Sequence, residues 1–259
     1  LSEALVARIE EDPSILQLGG QKRPLSFMFS DIAGFTPLSE RLGPEGTVQL
    51  LNRYFDHITE TVQNRRGGYL NKFLGDGIFA FFGAPVFQDD HALRALHAAA
   101  DCQNDVRNFN EQISSEMGGK VQLSVRIGVS TGEAMVGNCG STDRFDYTAI
   151  GDCVNLAARL EAANKYFGTS ILITEGTWAQ GGGDAFLARP LGRVLVTGQR
   201  EPVNLWNLLC RAEEASPEHQ QAVEAFAKGL EYFQRQGFGE ACEPFRRVQL
   251  AAAGPQVGV

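Results

Sequence analysis

The stretch "GGYLNKFLGDGIFAFFG", residues Gly67 to Gly83, decides the fold. Two apolar runs flank Asp76-Gly77, a tight-hairpin dipeptide. Before it, "GPEGTVQLLNRYFDHITETVQNR" sets Val48, Leu51, Tyr54, Phe55 and Ile58 at helical spacing. Before that helix, "LSFMFSD" is a buried strand that closes on Asp31. After the hairpin, "DDHALRALHAAADCQNDVRNFNEQI" reads as a long helix with Asp89 or Asp90 as cap. "VQLSVRIGVSTGEAMVG" reads as strand, turn, strand; "DYTAIG" as a short strand; "DCVNLAARLEAANKY" as a helix. "TSILITEG", "FLARPLGRVLVTG" and "VNLWNLL" supply further strands. Strand, helix, hairpin, helix, strand predicts an α+β fold, with helices on a mostly antiparallel sheet, over residues 25–210.

The flanks read differently. Residues 1–24 open with a helical pattern, "LSEALVARIEED", then Pro13 and the pair Gly19-Gly20, and are expected to be a helical lead-in. Residues 211–259 are expected to be a helical extension, two helices split by Gly237 and Gly239. That extension resembles one helix-turn-helix repeat of about 34 residues. A lone repeat cannot bury both faces, so it should dock on the core or continue in a longer parent.

Composition narrows the function classes. The 259 residues are 43% hydrophobic and 21% charged, an ordinary globular balance. A net charge of −8 opposes generic attraction to nucleic acid or anionic lipid, so no nucleic-acid partner is expected. Cys102, Cys139, Cys153, Cys210 and Cys242 are scattered without CxxC spacing, which fits a reducing compartment rather than a zinc site. His57, His91, His97 and His219 show no ligand spacing. No apolar run approaches the ~18 residues of a membrane span. The expected location is cytoplasmic, as a fragment whose parent could be a membrane-anchored receptor.

The candidate chemistry begins with two carboxylates. Asp31 ends one strand and Asp76 sits at the hairpin tip. Adjacent strands lie ~4.8 Å apart, so pairing of the first strand beside the hairpin would bring both to one sheet end. Two carboxylates so close repel unless neutralised, and oxygen-rich acidic sites suit Mg²⁺. Gly34-Phe35-Thr36 would then lead into a helix start whose free N–H groups can cradle phosphate. Taken singly, Asp31 reads first as a helix cap and Asp76 as a turn former; it is their pairing in apolar surroundings that points to a metal site. Asn155 and Arg159 are four apart and share a helix face. Arg126 and Lys72 are charges inside apolar strands, either surface residues or phosphate ligands.

Together the motifs "FSDIAGFTPLSERLGPE", "GGYLNKFLGDGIFAFFGAP", "VRIGVSTGEAMVGNCGS" and "DYTAIGDCVNLAARLE" resemble the class III nucleotidyl cyclase catalytic domain, over residues 22–210. The resemblance implies a ferredoxin-like, palm-type sheet flanked by helices, in a dimeric cyclase fold. It implies two Mg²⁺ per site, with Mn²⁺ able to substitute, held by Asp31, Asp76 and the backbone carbonyl of Ile32. Arg126 matches a phosphate-binding arginine, Lys72 and Thr148 the purine-reading pair, Asn155 the ribose-orienting asparagine and Arg159 the arginine that stabilises the transition state. It implies a head-to-tail homodimer with sites at the interface and an upstream sensor or membrane domain in the parent. Thr197, in "LVTGQREP", stands where relatives often carry a phosphate-binding lysine; Arg193 or Arg200 is the candidate substitute.

Base choice follows from donor and acceptor chemistry. Lysine only donates, whereas a threonine hydroxyl does both. Adenine N1 accepts and its 6-amino group donates, so Lys72 and Thr148 suit ATP. The expected reaction is attack of the ribose 3′-oxygen on the α-phosphorus, giving 3′,5′-cyclic AMP and pyrophosphate. Competing readings are a guanylate cyclase, a nucleotide-binding regulatory pseudo-cyclase, and a palm-type polymerase or diguanylate cyclase. "DIAGFT" together with "VNLAARLE" argues against the last.

Overall fold

Alternation along the strands builds two cores. The computed structural model describes residues 6, 18–116, 121–141 and 143–252. The strands are β1 (Gly19–Ile32), β2 (Tyr69–Leu74), β3 (Gly77–Phe82), β4 (Val125–Gly140), β5 (Phe145–Ile150), β6 (Ile171–Thr174), β7 (Phe186–Val194) and β8 (Val203–Arg211). The helices are α1 (Phe35–Thr59, running into a π-helical turn at Glu60–Arg65), α2 (His91–Glu116), α3 (Asp152–Phe167), α4 (Glu175–Gly181), α5 (Pro217–Gln234) and α6 (Phe238–Ala252).

The sheet order is β2-β3-β1-β4-β6-β8-β7, with β5 pairing β4 off that path. The β4–β6 pair is parallel and the other pairs are antiparallel. Strands β2-β3-β1-β4 with α1 and α2 form the ferredoxin-like unit that the resemblance implies, on the mostly antiparallel sheet expected from the order of sequence patterns. On one face Met28, Ile32, Ile78, Ala80 and Phe82 pack with Tyr54 and Ile58 of α1 and Leu96 and Ala99 of α2. On the other, Leu25, Phe27, Tyr69, Phe79 and Phe81 pack with Val154 and Ala157 of α3. Strand β3 is buried throughout because both its faces are covered. Each fully buried Phe there contributes about 1.5–3 kcal/mol.

Several boundaries differ from expectation. The lead-in helix over residues 1–12 lies, except for Val6, outside the described residues. Residues 19–24, expected to close that lead-in, extend β1 and pair with Glu133–Asn138 of β4. The expected strand, turn, strand over 121–137 is one long strand, since β1 pairs β4 over its whole length. Helix α1 begins at Phe35, before the expected Gly43, and Gly43 (φ 70°) only kinks it. The hairpin loop is Gly75-Asp76 rather than Asp76-Gly77, because β3 already starts at Gly77 and Gly75 takes the positive φ (67°). After β6, Thr174 caps α4 by accepting from the Thr177 N–H, so the strand pattern stops there. In the extension the break falls at Gln236-Gly237, and Gly239 lies inside α6. The α5–α6 hairpin docks on the sheet edge: the Arg189 guanidinium of β7 covers the Phe226 ring of α5 at 4.7 Å.

Candidate active site

The acidic end is assembled by strand pairing. Asp31 is the penultimate residue of β1, and Asp76 is in the turn between β2 and β3, next to β1. Gly77 permits the approach: a Cβ there would lie 2.3 Å from the Ser30 carbonyl oxygen. Burial, and then the charge of Asp31, push the Asp76 carboxyl from its ordinary 3.8 up to about 6, partly opposed by backbone N–H groups including that of Ile32. Ile32 itself is sealed in the core, with its backbone beside this turn.

Arg126 faces Asp31 across the β1–β4 ladder. Its Nη2 donates to Asp31 Oδ2 at 3.1 Å, and its Nε lies 3.4 Å from Glu161 Oε1 of α3. Burial and the Asp31 charge push the Glu161 carboxyl up to about 7, against the opposing pull of Arg126. Asp31 and Glu161 flank the Arg126 guanidinium, and the Asp76 charge is felt by both carboxylates, so negative charge exceeds positive here, a balance suited to a divalent cation. Among the described residues no three metal-ligating side chains converge into a ready-made cage. A pair of carboxylates completed by water and phosphate is the usual way Mg²⁺ is held, so Asp31 and Asp76 fit that ion.

Beside this pair α1 begins. Gly34, in a left-handed conformation (φ 69°), precedes Phe35, and no acidic residue occupies the first turn. Thr36 is exposed there, and its carbonyl accepts from Ser39 Oγ at 2.8 Å. The free N–H groups of this turn suit a phosphate oxygen.

A second cluster lies where β5 folds over β2. Lys72 Nζ is 3.8 Å from Asp146 Oδ2. The Thr148 hydroxyl donates to Asn71 Oδ1 at 3.3 Å, and Asn71 Nδ2 donates to the Tyr147 carbonyl at 2.5 Å. The Tyr69 and Tyr147 rings meet edge-on at 5.5 Å beneath. The structure therefore brings Lys72 of β2 and Thr148 of β5 into one cluster.

Helix α3 carries the third group. Gly128 lets α3 press on β4: a Cβ there would meet the Ala157 carbonyl oxygen at 2.2 Å. Asn164, fully buried, donates to the carbonyl oxygens of Ile127 and Leu160 at 2.9 and 3.0 Å and anchors the far end of the helix. Asn155 is exposed on the first turn. Arg159 Nη1 donates to the Gly198 carbonyl at 3.1 Å. Thr197, the neighbour of Gly198, is exposed, as are Arg193 on β7 and Arg200 in the same loop.

The expected residues thus form three clusters: Asp31, Ile32, Asp76 and Arg126; Lys72 and Thr148; Asn155 and Arg159. Sequence reasoning missed Glu161, Asn71 and Asn164. Glu161 had one signal, an acidic residue two positions past Arg159 and so turned away from it toward the sheet. Asn71 had another, a polar residue beside Lys72 that breaks strand alternation.

The chain belongs to the family described as the adenylate and guanylate cyclase catalytic domain, whose sequence model matches residues 20–209. Among curated relatives it is 36% identical to adenylate cyclase 1 of Rhizobium meliloti (strain 1021) over 188 residues, covering 73% of this chain and 28% of that protein. It is 37% identical to an adenylate cyclase of Anabaena cylindrica over 155 residues, 59% of this chain and 30% of that one. The chain therefore spans less than a third of either relative's length. Among solved structures, the adenylyl cyclase CyaB from P. aeruginosa superposes with a TM-score of 0.69 at 33% identity, covering 77% of this chain and all of that one. The guanylyl cyclase Cya2 superposes at 0.66 and 36% identity, covering 77% and 98%. No described helix is long and apolar enough to cross a membrane.

Proposed function

We propose that this cyclase domain is an adenylate cyclase, converting ATP to 3′,5′-cyclic AMP and pyrophosphate in a head-to-tail homodimer. The observation that carries the base choice is the approach of β5 to β2, with Lys72 and Thr148 in one cluster. Lys72 would donate to adenine N1, and Thr148 would accept from the 6-amino group. Guanine reverses both positions, with an N1–H donor and an O6 acceptor.

The other roles follow from the clusters. Asp31 and Asp76, with the Ile32 carbonyl, would hold Mg²⁺, two ions per site, or Mn²⁺ in its place. Bound there, such ions acidify the ribose 3′-hydroxyl and offset phosphate charge. Arg126 would exchange Asp31 for phosphate oxygens while keeping Glu161. The first turn of α1 at Gly34, Phe35 and Thr36 would accept further phosphate oxygens. Asn155 would hold the ribose near attack geometry. Arg159 would leave the Gly198 carbonyl and meet the charge that builds on the α-phosphoryl oxygens. One chain carries both the carboxylate pair and the Asn155–Arg159 helix face, so a head-to-tail homodimer would hold two equivalent sites. The domain would run over about residues 19–210, with the residues before it joining it to an upstream sensor and 211–259 as an added helical unit.

The test is cyclic nucleotide production from ATP and from GTP with Mg²⁺ or Mn²⁺, beside Asp31→Ala and Arg159→Ala. Cyclic AMP lost in both variants is the expected result. The guanylate reading keeps one supporting observation, the 36% identity to the guanylyl cyclase Cya2; cyclic GMP as the main product would establish it. No product over a wide protein concentration range would favour a regulatory role.

A further inference from the structure

The geometry points to Asn71 as a positioning residue for base selection: we infer that it holds the Thr148 hydroxyl as an acceptor toward the substrate and so favours adenine over guanine. The inference rests on the purine-reading assignment of Lys72 and Thr148.

Strand β2 is irregular at this residue. Its register against β3 runs Tyr69 to Phe81, Leu70 to Ala80, then Lys72 to Phe79, so Asn71 is an extra, unpaired residue. Such a bulge breaks the two-residue alternation. Leu70 packs toward α1 and α2. Phe73 follows it onto that face, its ring 4.2 Å from Phe55. Tyr69 and the Phe79 partner of Lys72 belong to the opposite face. Asn71 reaches that same opposite face, where it bonds β5. A regular strand would put Asn71 and Lys72 on opposite faces. The bulge puts both polar side chains under β5.

The amide orientation is fixed by chemistry. A backbone carbonyl only accepts, so the Asn71 group facing Tyr147 O at 2.5 Å must be its nitrogen. The amide oxygen then faces Thr148 and only accepts. The Thr148 hydroxyl must donate to it, at 3.3 Å. With its single proton committed, Thr148 Oγ1 offers the substrate lone pairs alone. An amino group at the purine 6-position satisfies them, and a 6-oxo group meets them as acceptor against acceptor. Free of Asn71, the hydroxyl would rotate and donate to O6, and would select neither base.

The experiment measures kcat/KM for ATP and GTP on the whole chain carrying Asn71→Leu, Asn71→Ala, Asn71→Asp, Thr148→Val and the pair Asn71→Leu/Thr148→Val. Loss of one directed hydrogen bond corresponds to about ten-fold. Asn71→Leu should lower the ATP-to-GTP ratio about ten-fold, mainly through a gain on GTP, whereas a purely structural loss would lower both. Asn71→Asp keeps an acceptor for Thr148 but loses the donor to the Tyr147 carbonyl, so it should lower both kcat/KM values while shifting the ratio less than Asn71→Leu. In the Thr148→Val background Asn71→Leu should change the ratio no further. Should Asn71→Leu not fold, Asn71→Ala makes the same cut. An unchanged ratio in Asn71→Leu or Asn71→Ala, with Thr148→Val shifting it, overturns the role of Asn71 alone. An unchanged ratio in Thr148→Val overturns the purine-reading assignment itself, and this inference with it.

Discussion

Replacing Asp76 by Asn should stabilise the metal-free protein while removing catalysis. The Asp76 carboxyl, raised to about 6 from 3.8 by burial and by Asp31, is disfavoured in its charged form on folding. At about 1.4 kcal/mol per pH unit the full rise corresponds to about 3 kcal/mol. Asp76 is only half-buried, and solvent screening reduces the expected effect to about 1 kcal/mol. The sign follows from the raised value: the unfolded chain loses this proton near pH 4 and the folded chain near pH 6, so wild-type stability declines across that window. The substituted amide has no proton to lose. The advantage of Asp76→Asn should be absent below about pH 4, grow to about pH 6 and then level off. Urea unfolding in a chelator at pH 3.5, 5 and 7.5 reads this directly. Mg²⁺ at 100 times its Kd should then add about 2.7 kcal/mol to the wild type and far less to the variant. If Asp76→Asn destabilised the metal-free protein at pH 7.5, the account of two carboxylates forced together without a counter-ion would be wrong.

Three other perturbations probe the supports of the site. Asn164→Ala leaves the buried Ile127 carbonyl without its side-chain donor and should cost about 1–3 kcal/mol in urea unfolding. Gly128→Ala forces α3 off β4; it should cost about 1–3 kcal/mol and lower kcat through Asn155 and Arg159, with nucleotide affinity less affected. Arg189→Ala removes the cation over Phe226 and should loosen the α5–α6 hairpin by about 1 kcal/mol, read as faster hydrogen exchange in α5 with unchanged exchange in β1 and β3.

The core architecture was legible because each element carries its own periodicity. Strand β3 is a continuous apolar run, α1 repeats at helical spacing, and Asp31 and Asp76 interrupt apolar runs where only chemistry or a turn would put a carboxylate. The purine-reading roles of Lys72 and Thr148 were expected from the resemblance, whereas Asn155 and Arg159 also stood out by sharing a helix face. What the sequence could not express is contact between distant segments. Arg126 read as a lone strand charge, and only the β1–β4 ladder set it between Asp31 and Glu161. Residues 19–24 read as the end of a helical lead-in, because the β4 partner that makes them a strand lies over a hundred residues away. Asn71 read as nothing in particular. A bulge is a property of two paired strands, so one strand's sequence does not show which residue is left over. The sequence by itself determined which residues could do cyclase chemistry. The pairing of strands decided which of them meet, because proximity across a sheet depends on register and register on every partner at once.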